Sequence, residues 1–389
     1  NKSIMYKRSM TLLTLNNFLK KFEKSPADTQ TIKEFIKDAT VVVGNNKHKL
    51  FEYIKAKSIN MEDINLLLEN IKNRKEYLTR FYNMSLRVNA ENSKIDGNIE
   101  PMNGEHMDNN TGVIYKNIIR NIHYQDILQN TSSGLENTPT FMNILNDLYK
   151  KNVIDYKILT PSSLFYMKNR RLGSVFSSYY FRASIMNPYL VYSLNKTVLK
   201  GTRIFTPTLG WSSYAFGFLE CPEVKEYVGT DVIKKVCDKT EKLGLRYKAE
   251  MKIYCQPSED LYKSKRFLNK YREHFDVVFF SPPYYRLELY NSGEQSTTRY
   301  KTYKEWLKKY WEQTILLANE VLMKKGKLCY ILSGYGSQNV KEEYDLLRDM
   351  NTITKKYFKV GLQIPMLNKN VHSTKHRETG EQIMIYIKV

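Results

Sequence analysis

The 389-residue chain is long enough for two or three domains, and its 42% hydrophobic residues supply a core that excludes wholesale disorder. Lysines and arginines number 61 against 40 acids, a formal charge of +21; a nucleic acid accounts for such an excess, and so does the lysine-rich composition that skewed genomes produce. No apolar run spans a bilayer, no signal-peptide core opens the chain, and Cys221, Cys237, Cys255 and Cys329 lack metal-ligand spacing, so the expectation is an intracellular protein (cytoplasmic, or nuclear or viral in a eukaryotic host) without a metal.

Residues 1–87 read as a helical amino-terminal region. Leu66, Leu67, Leu68, Ile71, Tyr77 and Phe81 recur at spacings of three and four, and Ser25-Pro26-Ala27-Asp28 offers a helix start. This region is where a protein partner would dock. Residues 88–113, rich in Asn, Gly and Asp, read as a polar linker or long loop. Residues 114–200 form a basic helical subdomain: between Lys150 and Arg203 stand ten Lys or Arg and one acid, Asp155, with aromatics such as Phe165, Tyr166, Phe176, Tyr180 and Tyr189 interleaved. The basic groups Lys168, Arg170, Arg171 and Arg182 are expected on phosphates, while the aromatics either stack on unpaired bases or form a helical core.

From residue 201 to 389 short apolar runs alternate with helical stretches. Strands are predicted at Arg203–Thr206, Glu226–Thr230, Met251–Cys255, Asp276–Phe280, Lys327–Leu332, Phe358–Gln363 and Gln382–Val389, with a long helix at Tyr303–Met323. The alternation predicts an α/β domain on a mostly parallel, doubly wound, seven-stranded sheet. The loop before the final strand leaves no room for a crossover helix, so the last two strands should pair antiparallel.

In such a sheet ligands bind beyond the carboxyl ends of the strands. After the first strand, the Phe205–Ser213 loop contains Gly210, suited to a tight turn or close ligand approach. After the second, Asp231 puts a carboxylate where it either binds ribose hydroxyls or caps a helix. The third runs into Ser258-Glu259-Asp260, polar groups fit for an adenine edge and equally for a helix start. The fourth ends in Ser281-Pro282-Pro283-Tyr284. Two prolines fix that backbone. Ser281 and the Pro282 carbonyl form a rigid pair of acceptors for a planar amino group, and Tyr284 offers a face for a flipped base.

This tetrapeptide resembles the signature of the S-adenosylmethionine-dependent amino-methyltransferases that modify the exocyclic nitrogen of cytosine or adenine in DNA. The stretch from Ser281 to Trp306, with Tyr290, Gln295, Ser296, Tyr300 and Tyr303, is similar to a phage, viral and bacterial modification-enzyme subgroup. The resemblance runs from about Phe181 to Val389. It implies a Rossmann-like methyltransferase fold, S-adenosylmethionine as cofactor, DNA or RNA as partner, and restriction-modification or viral self-marking as setting. It implies cofactor contacts from Phe205, Thr206, Gly210, Asp231, Ser258, Glu259, Asp260 and Ser281, and contacts to the target base from Ser281 to Tyr284. The chain departs from the family where Thr206 replaces an acid and Ser212 a second glycine. The lost acid would have met the cofactor's ammonium, leaving Glu220 or the Phe181–Tyr192 region to substitute; with the helical amino-terminal region it leaves open a second reading, a catalytically inactive nucleic-acid-binding or scaffold subunit with a methyltransferase fold. Two loops are placed to read the target: Arg286–Tyr303, with Arg286 and Arg299, and Asn368–Glu381, with Lys375 and Arg377. Each grips phosphate or is a solvated tip. His372 and His376 lack a third metal ligand.

Overall fold

The computed structural model describes residues 10–134, 137–333, 345–368 and 380–389. Compact contacts divide the chain into two units, one of Asn1–Thr11, Val88–His123 and Ile185–Val389, the other of Leu12–Arg87 and Tyr124–Ser184.

The first unit is built on an eight-stranded sheet, one strand more than the sequence predicts: a short edge strand, Met107–Asp108, and the seven expected strands β1 (Arg203–Thr206), β2 (Glu226–Asp231), β3 (Glu250–Cys255), β4 (Phe275–Phe280), β5 (Leu322–Ser333), β6 (Lys359–Leu367) and β7 (Glu381–Ile387). The seven lie in the order β6-β7-β5-β4-β1-β2-β3. Neighbours from β5 to β3 run parallel, and β7 is antiparallel to both β5 and β6. This is the Rossmann-like methyltransferase layout expected from the sequence. β5 starts earlier than predicted, at Leu322, and β6 runs on to Leu367.

The central strand shows why the pattern was readable. β4 (Phe-Asp-Val-Val-Phe-Phe) is covered on both faces, as parallel strands are. Phe279 meets Tyr214 and Phe218 of α3 (Ser213–Leu219), whereas Phe280 meets Trp311 and Tyr330 on the other face. Each such side chain withdrawn from water contributes about 1.5–3 kcal/mol. Asp276, the polar residue of the strand, accepts from the Thr202 and Arg203 amides at 2.9–3.0 Å and so fixes where β1 begins.

Two residues of the segment expected as a linker join this sheet. Met107–Asp108 pairs parallel with Met366 and Leu367 at the end of β6. Asn187, fully buried, caps α2 (Pro188–Leu194) through the Tyr189 amide (3.0 Å) and donates its Nδ2 to the Thr111 carbonyl at 2.6 Å. α1 (Tyr115–Ile122) follows. Gly217 of α3 allows α2 to lie close, since a Cβ there would stand 2.5 Å from Val191.

In the second unit, short helices enclose an aromatic core. Phe81 and Phe141 rings lie 4.6 Å apart and Tyr77 and Phe176 5.1 Å apart. Buried Arg74 donates to both Asp28 oxygens, at 2.6 and 3.0 Å, and its guanidinium holds that carboxyl below the usual range. The expected helix start at Ser25 is present as a capping box with Asp28. A three-stranded sheet (Asn46–Lys49, Thr40–Val43, Val153–Asp155) interrupts the helices. It corrects the reading of residues 1–87 as helical. Its signal, three valines before Gly44 (φ +62°), stands in the sequence.

Candidate active site

The chain visits β1, β2 and β3 outward in one direction, then returns to place β4 on the other side of β1. The crevice of a doubly wound sheet opens at that switch, so the tips of β1 and β4 define the site.

The loop after β1 is wound tightly. Gly210, Trp211 and Ser212 all have positive φ, at 52°, 59° and 69°. Such a run in a tryptophan and a serine stores strain and persists only where surrounding contacts over-determine it. Those contacts are present. Trp211 is buried and meets the Tyr290 ring edge-on at 5.4 Å. The Ser212 hydroxyl lies 2.7 Å from Thr240 Oγ1 and 2.8 Å from His123 Nε2, all three residues being fully buried.

The direction of that chain follows from its end. Thr240 donates to the Val236 carbonyl at 2.7 Å, so it must accept from Ser212, and Ser212 must then accept from His123. His123 therefore carries its proton on Nε2, and burial holds its pKa well below the usual value. His123 Nδ1 has no hydrogen-bond partner among the described residues.

The same loop reaches the tetrapeptide. Tyr214, one turn past Gly210, sends its hydroxyl to Ser281, accepting from the amide at 3.0 Å and donating to the carbonyl at 3.3 Å. Burial pushes that phenol up to about 12. A Cβ on Gly210 would stand 2.3 Å from the Tyr214 ring, so the glycine is required by the tyrosine as well as by its own φ.

Asp231, at the β2 tip, accepts from Leu209 N at 3.1 Å and Ile233 N at 3.0 Å, which ties the β1 and β2 loops together. Burial raises its pKa, opposed by those amides. Thr206, in the family's acid position, is buried and shares a 2.7 Å hydrogen bond with Tyr227. Phe205 is core, stacked on Phe275 at 5.5 Å. Glu220 lies at the far end of α3, accepting from Tyr247 at 2.6 Å.

At the β3 tip, Ser258 meets Thr314 at 3.1 Å. Glu259 is buried, which raises its pKa, and accepts from Tyr300 at 3.2 Å and Arg299 at 3.3 Å. Arg299, expected on a phosphate, instead grips both Asp260 oxygens at 2.8 and 3.0 Å, because two carboxylates beside it need a counter-charge.

At the β4 tip, Ser281 donates its hydroxyl to the Ile331 carbonyl of β5 at 3.2 Å. Its only proton being used, its oxygen is left as an acceptor. Pro282 is buried and Pro283 half-buried. Tyr284 accepts from Ser333 N at 2.9 Å and donates to Glu381 at 3.3 Å, and burial raises its pKa well above the usual value. Its ring is held in place by its own hydroxyl.

The residues expected on nucleic acid fall in both units. Arg286 is exposed, lies over the Tyr285 ring at 5.1 Å and donates to the Lys301 carbonyl at 2.8 Å. In the second unit Arg170 and Arg171 are exposed, and Phe165 beside them is 65% exposed. Lys168 pairs with Asp63 at 2.9 Å. Arg182 lies over the Phe141 ring at 5.4 Å, where burial lowers its pKa, and is thus withdrawn from the role expected of it. Lys375, Arg377 and the two histidines of that loop lie outside the described residues. No described helix is long and apolar enough to cross a membrane.

Neither a protein-family model nor a curated protein matches the sequence. Among solved structures the chain is similar to the N-methyltransferase NodS from Bradyrhizobium japonicum WM9, at 11% identity over 51% of this chain and 91% of that one, with a TM-score of 0.35. It is similar to TrmN from Thermus thermophilus at 13% identity (52% and 49% covered, TM-score 0.36) and to a methyltransferase from Pyrococcus furiosus at 16% (52% and 83%, 0.34). Scores this low carry no weight for function, which rests on the chain's own strand order and side chains.

Proposed function

We propose that the chain transfers a methyl group from S-adenosylmethionine to the exocyclic amino group of cytosine or adenine in DNA. The observation that carries this reading is the tetrapeptide Ser281-Pro282-Pro283-Tyr284 at the β4 tip, beside the switch point, its backbone held by Tyr214 from the start of α3. The buried Ser213 and Thr297 hydroxyls, without hydrogen-bond partners among the described residues, fit a site that expects a polar ligand. Phe205 to Gly210 and Asp231 would hold the ribose side of the cofactor, and Ser258 to Asp260 its adenine. When bound, the cofactor supplies an electrophilic methyl group.

The chain's own part is acceptance and orientation. Ser281 Oγ and the Pro282 carbonyl take the two amino hydrogens, which draws charge onto the nitrogen and aims its lone pair outward. Tyr284 supports the base. Once methylated, the nitrogen sheds a proton to water, so no ionisable base is needed beside it. The test is transfer of labelled methyl from S-adenosylmethionine to DNA and RNA, followed by nucleoside mass spectrometry. Methylated cytosine or adenine from DNA is expected, abolished by Ser281→Ala. Label in RNA alone would replace DNA as substrate, and no label in either would refute the reading.

A further inference from the structure

Among the tyrosines around these strand tips, Tyr214, Tyr227, Tyr284, Tyr290 and Tyr300 each have a bonded hydroxyl. Tyr310 does not. It is 3% exposed, and its hydroxyl has no hydrogen-bond partner among the described residues. A buried hydroxyl left unpaired opposes folding, so its presence calls for an explanation outside the folded chain itself. Tyr310 sits in Leu307–Trp311, a widened helical turn bonded from residue i to i+5, between Tyr303–Trp306 and α7 (Glu312–Val321). Such turns shift side chains off the regular helical stripe and cluster at functional sites. The Trp306 ring, 5.1 Å away, fixes the phenol in place. The turn packs against α5 (Ser258–Leu261), the element at the β3 tip, and burial, reinforced by the Glu259 carboxylate, holds the phenol's pKa well above the usual value.

We propose that the Tyr310 hydroxyl recognises the purine nucleoside end of the site's ligand, completing a pocket formed with Asp231 and the Ser258–Asp260 tip. This rests on the reading of the ligand as S-adenosylmethionine. The packing of its turn against the β3 tip assigns it to the adenosine end rather than the amino-acid tail.

The test compares the full chain with Tyr310→Phe, measuring S-adenosylhomocysteine and adenosine binding by calorimetry and ligand-free thermal unfolding. The variant should bind both ligands roughly tenfold more weakly, the effect of one lost hydrogen bond in a dry site. Its ligand-free Tm should be equal to or above that of the unaltered chain, since no internal bond is lost. Equal affinities would overturn the assignment, as would weakening for S-adenosylhomocysteine alone or weakening accompanied by a lower ligand-free Tm. If the unaltered chain binds neither ligand, the methyl-donor reading falls together with this one. If it binds both and the variant is indifferent, only the role of Tyr310 falls.

Discussion

Tyr214 bonds to the amide and the carbonyl of a single residue, Ser281, from the first turn of a helix 67 positions away in sequence. A hydroxyl that both accepts and donates in this way fixes the orientation of a peptide unit without touching a substrate, which makes Tyr214 a positioning residue for the tetrapeptide. Tyr214→Phe should lower kcat for methyl transfer by roughly ten- to a hundredfold, with the KM for the donor changing far less, because misplacement of an acceptor pair acts on the reacting geometry. Steady-state kinetics in both substrates checks the split. His123 offers a second test, through pH. Its pKa is depressed in the folded state, so the unfolded chain binds the proton more readily below the ordinary value of 6.5. Stability present above that value is therefore lost as pH falls through it. Urea unfolding between pH 7 and 5 should show this loss. His123→Gln, which can keep the donor to Ser212 without titrating, should remove that part of it.

At the scale of elements, the legible features were those written in a local period. β4 shows itself as a run of apolar residues, and Asp231 and Ser281 stand where a strand stops, so their placement followed from the strands. The three-stranded sheet around Thr40–Val43 was equally visible in its valines and Gly44, but helical spacing on either side overrode it. Tyr214 and His123 were not legible, because Ser281 and Ser212 become their neighbours only through the fold. Nor does any local pattern announce the widened turn at Leu307–Trp311. Arg299 shows the converse limit. A basic residue in a polar loop reads as a phosphate ligand until Glu259 and Asp260, some 40 positions earlier, are seen to face it.

At the scale of the molecule, the sheet-bearing unit is assembled from pieces that the chain delivers separately. His123, the Met107–Asp108 strand and α2 belong to it and come from before β1. A fragment of residues 201–389 alone would contain every strand from β1 to β7 yet leave Ser212 without His123, Gly217 without α2 and the β6 edge without its partner. Such a fragment should not give a cooperative unfolding transition, whereas the full chain should; thermal unfolding followed by circular dichroism distinguishes the two.

The interleaving also orders events during synthesis. Every part of the second unit, through Ser184, leaves the ribosome before β1 exists. That unit can close while Val88–His123 hangs from it as a loop tethered at both ends. The entropy of closing such a loop grows only slowly with its length, so the tether holds α1 and the Met107–Asp108 strand near the growing chain at small cost. When β1 and β6 finally emerge, they meet partners already anchored, and a long-range search becomes a short one.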